Sequence, residues 1–221
     1  MSRDPLHSVK EIFCVLLLFS FAIFSCNSTY TSKKKGYFKI DFPKRDYVKF
    51  DNPAFPYSFE YPAYAKIERD SSYFDTSSSN PYWINIDFPG FNGKIFISYK
   101  TIGGTSVYKV KTPDGKYRDS TGKNTFQKMV DDSYKLTFKN DIKAYSIEDS
   151  VMHTPNNVSG VYFRLSGSVA TAQQFFLSDT THNFLRGALY FDATPNEDSL
   201  RPVNNFLQED MKHIINTLRW K

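Results

Sequence analysis

Tyr82-Trp83-Ile84-Asn85-Ile86-Asp87-Phe88 is the stretch that decides the fold. Tyr82, Ile84, Ile86 and Phe88 fall on one side of an extended chain, and Asn85 and Asp87 on the other. That is the period-two pattern of a half-buried strand. Pro89-Gly90-Phe91-Asn92-Gly93 supplies turn residues, and Lys94-Ile95-Phe96-Ile97-Ser98-Tyr99-Lys100 returns with the same alternation. Two alternating runs joined by a short turn form a hairpin, and a hairpin starts an antiparallel sheet.

Downstream, residues 103–123 are rich in Gly, Thr, Asp and Lys, with Pro113-Asp114-Gly115 as a turn. They read as a surface loop with a short strand over 106–110. Asn124 or Thr125 can cap a helix over 125–139, in which Phe126, Met129, Val130, Ser133 and Tyr134 recur at helical spacing. Strands follow near 143–153, 160–168, 172–178 and 184–192, broken by Pro155-Asn156-Asn157 and by Asp179-Thr180-Thr181-His182-Asn183. Ser199 or Asp198 is the expected cap of the last helix, with Pro202 in its first turn. Phe206, Leu207, Asp210, Met211, Ile214, Ile215 and Leu218 mark its buried stripe, with Asp210 the one polar intruder, and Trp220 closes it. Strands, helix, strands, helix, joined by tight hairpins, predict an α+β fold: a mostly antiparallel sheet with two flanking helices.

Upstream of the hairpin, residues 37–67 interleave aromatics with proline, in Tyr37-Phe38-Lys39-Ile40-Asp41-Phe42-Pro43 and in Phe55-Pro56-Tyr57-Ser58-Phe59-Glu60-Tyr61-Pro62. Proline cannot donate to a ladder, so these runs are edge strands or extended packing arms. Residues 64–69 continue as a strand, and 70–81 read as a loop. Residues 27–36 are polar and aperiodic, the composition of a tether. Lys33, Lys34 and Lys35 fall short of a polybasic cluster, which favours a solvated linker over headgroup binding.

The start of the chain differs in kind. Residues 12–24 are an apolar run behind Arg3 and Lys10, and it ends at Ser25-Cys26. At 1.5 Å per residue it spans only about 20 Å of the roughly 30 Å hydrocarbon core of a bilayer. The plan is that of an export signal. A plain signal peptide or a short anchor would give the same run. Ser25 before the cysteine and Ile23 three places before it look like a bacterial lipobox, although Phe24 is bulkier than usual at its place. Cys26 is therefore the candidate lipidation site, a carrier of acyl chains such as palmitate. The expected organisation is a lipoprotein signal over 1–25, a lipidated tether over 26–36 and one α+β domain over 37–221. The only other cysteine, Cys14, lies in the segment to be removed, so no intramolecular disulfide is expected.

Net charge is +5, with basic and acidic residues interleaved along the chain, so no nucleic-acid footprint is expected. The chain holds 21 Phe and 15 Tyr, many in short alternating runs, which favours sheet over helix. No nucleophile elbow occurs: Ser166-Gly167-Ser168 lacks the second flanking glycine. Gly103-Gly104 lacks the lysine and spacing of a phosphate loop. His7, His153, His182 and His213 share no ligand spacing, so no metal and no cofactor are expected. Asp131 and Asp132, adjacent on a helix, should point apart into solvent. Asn85 and Asp87, with Tyr99 or Trp83, are the residues that could line a polar pocket, against the simpler reading of a solvated sheet face. Asp119-Ser120-Thr121, Asp149-Ser150-Val151, Asp179-Thr180-Thr181 and Asp198-Ser199-Leu200 resemble the O-glycosylation sequon of periplasmic Bacteroidota proteins.

Four stretches taken together resemble the GldD family of gliding-motility lipoproteins of Bacteroidota. They are Lys35-Gly36-Tyr37-Phe38-Lys39-Ile40-Asp41-Phe42-Pro43, Pro56-Tyr57-Ser58-Phe59-Glu60-Tyr61-Pro62, the Trp83–Gly93 part of the hairpin, and Leu185-Arg186-Gly187-Ala188-Leu189-Tyr190-Phe191 with residues 198–220. The resemblance implies a periplasmic protein, lipid-anchored to the inner or outer membrane through Cys26. It implies a non-enzymatic accessory or scaffold, partnered by other gliding and type IX secretion proteins, with no small-molecule substrate. Strand–helix order adds a PsbP-like α/β/α sandwich as the candidate architecture. A reading of another class also stands: a periplasmic binding module or hydrolase with a polar pocket beside the 82–100 hairpin.

Overall fold

The hairpin lies near one edge of the sheet it starts, with one strand outside it. A computed structural model describes residues 39–69 and 81–221. Strand β4 (Ile84–Phe88) turns through one 3-10 turn (Pro89–Phe91) into β5 (Gly93–Thr101). Asn92 takes the left-handed conformation that ends the turn, with φ 47°. Ile84 faces Ile97 and Ile86 faces Ile95, and all four side chains are buried. The two-residue period thus puts one face of both strands into a dry core.

Around this hairpin lie β3 (Lys66–Arg69), β8 (Ala144–His153), β9 (Ser159–Gly167), β10 (Gln173–Ser178) and β11 (Asn183–Phe191). They form a seven-stranded sheet in the order β3-β4-β5-β11-β10-β9-β8, antiparallel throughout. The pairing of β5 with β11 joins the hairpin to the second half of the chain. A smaller antiparallel sheet holds β1 (Tyr47–Phe50), β2 (Tyr57–Pro62) and β12 (Arg219–Trp220). The expected loop at 103–123 is instead a hairpin of its own, β6 (Thr105–Lys111) with β7 (Tyr117–Lys123). Its polar composition reflects exposure on both faces, which erases the apolar alternation that marks a strand. Its turn is the expected one, with Gly115 at φ +83°.

Helix α1 (Phe126–Phe138) lies on one face of the large sheet and α2 (Glu197–Thr217) on the other. The fold is α+β, as the sequence predicts. Thr125 caps α1 by accepting from the Lys128 amide. Ser133 and Thr137 are buried on α1 because each hydroxyl donates to the carbonyl four residues back, at 2.8 and 2.9 Å. The α2 cap differs from expectation. Asn196, not Asp198 or Ser199, accepts from the Ser199 amide, so the helix starts earlier and Pro202 lies inside it. Val203, Leu207, Met211 and Ile214 of α2 pack with Ile84, Ile95, Leu185 and Leu189 of the sheet. Leu218 ends the helix in the same core, and Trp220 leaves it as β12, which pairs with β2. Residues 40–221 form one unit. No helix among the described residues is long and apolar enough to cross a membrane. Residues 12–26, the tether and the loop of 70–80 lie outside the described residues.

Candidate functional site

The suggested polar pocket of Asn85, Asp87 and Tyr99 does not form. Tyr99 lies on the opposite face of β5, and its hydroxyl donates to Asn183 Oδ1 at 2.6 Å. Asp87 pairs across the hairpin with Lys94 at 3.7 Å, and Lys94 also reaches Glu68 at 3.3 Å. Asn85 is buried rather than solvated. Trp83 points its indole N–H at the Tyr99 carbonyl, at 2.9 Å.

A different concavity lies beside the hairpin. Between α1 and the outer face of β5 and β11 runs a groove of about 970 Å³. Trp83, Phe96, Leu136 and Tyr190 give it apolar walls, and Lys100, Lys135, Lys139 and Arg186 give it four cations against one carboxylate, Asp132. Arg186 lies opposite Ser98 in the β5–β11 register, on the groove side of the sheet. Its Nη2 donates to Gln174 Oε1, which Thr137 Oγ1 also reaches at 3.3 Å. Burial pulls the Arg186 pKa below the usual arginine value, and the nearby Tyr190 opposes that shift. A guanidinium remains charged under any such shift. Sequence reasoning reads residues 184–192 as a strand and gives Arg186 no role of its own. Its overlooked signal is a single charge inside a run that is apolar on both faces, which marks a charge drawn under cover.

Asp210, the polar intruder of α2, has a structural use. It is fully buried and accepts from the hydroxyls of Tyr47, at 2.9 Å, and Tyr64, with Arg45 Nε at 3.4 Å. Arg45 also donates to the Phe206 carbonyl at 3.0 Å and lies over the Phe206 ring. Phe42 stacks on the same ring, with centroids 4.4 Å apart. The proline-rich arm before β2 is thus strapped to α2 by one carboxylate and one aromatic ring. Burial, then the Asp210 hydrogen bond, pushes the Tyr47 pKa up to about 12, and the same causes raise Tyr64.

The remaining chemistry-bearing residues are dispersed. His153 Nδ1 lies 2.9 Å from Ser159 Oγ on an exposed hairpin, and among the described residues no carboxylate orients that imidazole. His213 pairs with Glu60 at 2.8 Å. Asp131 accepts from Gln127 at 2.8 Å, and both Asp131 and Asp132 are exposed. Asp179 closes its own turn. Burial raises its pKa, but the amides of Asn183 and His182 and the Asn183 side chain outweigh that and hold it at about 2. Among the described residues no three His, Cys, Asp or Glu gather as a metal site. Cys26 lies outside the described residues.

A family model described as gliding motility lipoprotein GldD matches residues 27–220. The chain belongs to the GldD family. Membership makes it a gliding-motility lipoprotein, and hence membrane-associated. No curated protein matches the chain. The solution structure of a cyanobacterial PsbP (CyanoP) from Synechocystis is similar over 86% of this chain and 99% of that one, at 9% identity and a TM-score of 0.42. In this GldD chain, the stretches quoted for the resemblance do distinct jobs. The described part of the first is the arm strapped to α2, the third is the β4–β5 hairpin, and the fourth carries both Arg186 and the Asp210 clamp.

Proposed function

We propose that the protein is a periplasmic accessory of the gliding and type IX secretion machinery, tethered by acyl chains on Cys26 and acting through protein contacts rather than catalysis. The observation that carries this reading is the family match over residues 27–220, which begins directly after the lipobox cysteine. Tethering confines the domain to a membrane surface, where a raised effective concentration strengthens weak contacts with neighbouring subunits. Surface groups without intrachain cover support the reading. Val151 is 86% exposed on β8, an edge strand of the large sheet, and Ile142, in the turn that leads into β8, is 92% exposed. Edge strands and uncovered apolar groups are where partner chains dock.

The anchor is the simplest part to test. Cys26→Ala should abolish acylation, release the protein from membranes and stop spreading motility at native expression, as judged by membrane fractionation and colony spreading. Full complementation by a soluble, periplasmic Cys26→Ala form would show that tethering is dispensable. An unmodified Cys26 in membrane-purified wild-type protein, read by mass spectrometry, would remove the lipidation assignment.

A further inference from the structure

We propose that the groove between α1 and the β5–β11 face binds an apolar carboxylate, a molecule with one carboxylate head and a hydrocarbon body, and that Arg186 receives the head. This goes beyond the anchoring role and does not depend on Cys26.

Three observations carry it. The first is donor accounting. A guanidinium has five N–H donors, and the protein partner of Arg186 among the described residues is one amide oxygen, on Gln174. No carboxylate of the described residues pairs with it. Buried cations are ordinarily paired, and breaking such pairs is strongly destabilising, so a half-buried arginine that lines a groove with one amide oxygen as its partner among the described residues is suited to receive an anion. The second is what fixes that arginine. Gln174 is 1% exposed, and its Nε2 has no hydrogen-bond partner while its Oε1 is engaged by Arg186 and Thr137. Gln174 stands diagonally across the β10–β11 pair from Arg186, on the same face of the sheet. Gln174 thus holds the guanidinium through its oxygen from beneath the groove, and of the two it is Arg186 that lines the groove.

The third is the wall. Ligand sites are mostly apolar concavities of about 300–1,000 Å³ with a few placed polar groups, and this groove has that size and make-up. Trp83, Phe96 and Tyr190 supply aromatic surface for a hydrocarbon body. The rim carries Lys135 and Lys139, so the field along the groove favours an anion. A carboxylate fits better than a phosphate monoester. The two-oxygen edge of a carboxylate matches the guanidinium fork.

The test uses the full-length protein in phosphatidylcholine nanodiscs, with empty nanodiscs as the blank. Octanoate, octanamide and octyl phosphate, which share one tail, are titrated by calorimetry and by Trp fluorescence, Trp83 being in the groove wall. Octanoate should bind at least tenfold more tightly than octanamide, and Arg186→Gln should remove at least tenfold of the octanoate affinity. Ser98→Phe, which fills the groove opposite Arg186, should abolish binding without moving the melting temperature, and it decides the matter should Arg186→Gln not fold. Equal binding of octanoate and octanamide, no octanoate binding, tighter binding of octyl phosphate, or unchanged binding in folded Arg186→Gln or Ser98→Phe would each overturn the proposal.

Discussion

The large sheet is covered by helices of unequal length, and its two faces differ accordingly. On one face, α2 (Glu197–Thr217) and the β1-β2-β12 sheet close over Ile84, Ile86, Ile95, Leu185 and Leu189, and all five side chains are fully buried. On the other, α1 (Phe126–Phe138) covers Val161, Phe163, Phe176 and Phe184 and stops there. Seven strands at about 4.8 Å spacing span roughly 29 Å, while a helix is about 10 Å across. One short helix therefore covers only part of a face, and the part of β5 and β11 left beyond it becomes the groove, with Phe96 38% exposed. Stability and binding are divided between the faces by an accident of helix length: the well-covered side holds the fold, and the poorly covered side is left concave.

The comparison is most easily broken by deletions on the two faces. Ile214→Ala, at the fully buried centre of the α2 face, should cost about 2–5 kcal/mol, read by denaturant unfolding. An unchanged midpoint would mean that α2 is not the main lid of the core. Gly187→Ala tests the same face from the sheet side. A Cβ there would sit 2.3 Å from Phe175 Cζ, so the ring must leave its place, and a loss of about 1–3 kcal/mol is expected.

Tyr47→Phe probes the arm that completes the α2 side, and should cost about 0.5–1.5 kcal/mol at neutral pH through the lost Asp210 hydrogen bond. Its sharper signature is alkaline. The folded protein holds the Tyr47 proton up to about 12, against 10.0 for a free tyrosine. The associated stability is therefore full below pH 10 and is lost as pH rises toward 12. The variant should flatten that limb in unfolding curves taken across this range, and an unaltered slope would remove Tyr47 from the clamp. The smallest effect belongs to the groove side. Leu136 is 41% exposed on the groove wall, and Leu136→Ala should change stability by less than about 0.5 kcal/mol. A loss as large as that of Ile214→Ala would show that the two faces are equally packed.

Much of this was legible in the chain itself. Alternation along 82–100 located the β4–β5 hairpin, because a period of two sorts side chains between faces without reference to any partner. Helical spacing located α1 and the buried stripe of α2 for the same reason. What tertiary structure alone decided is of another kind. The hairpin of β6 and β7 carries no apolar alternation, since both its faces meet water. The N-cap of α2 went to Asn196 over two equally suitable neighbours, a choice that local side-chain chemistry leaves open. Asp210 looked like a flaw in an apolar stripe until residues 45, 47 and 64 arrived from the far end of the chain to bind it. Asn85 and Asp87 shared a face as expected, but pairing with Lys94 took Asp87 out of any pocket, and Tyr99 lay across the sheet. Arg186 gained its significance from α1, whose short reach left it sheltered beside a groove without covering it. Periodicity is a property of neighbours along the chain. Which charge meets a partner, and which is left facing a cavity, depends on groups from other elements, for Asp210 more than a hundred residues away, and only packing brings them together.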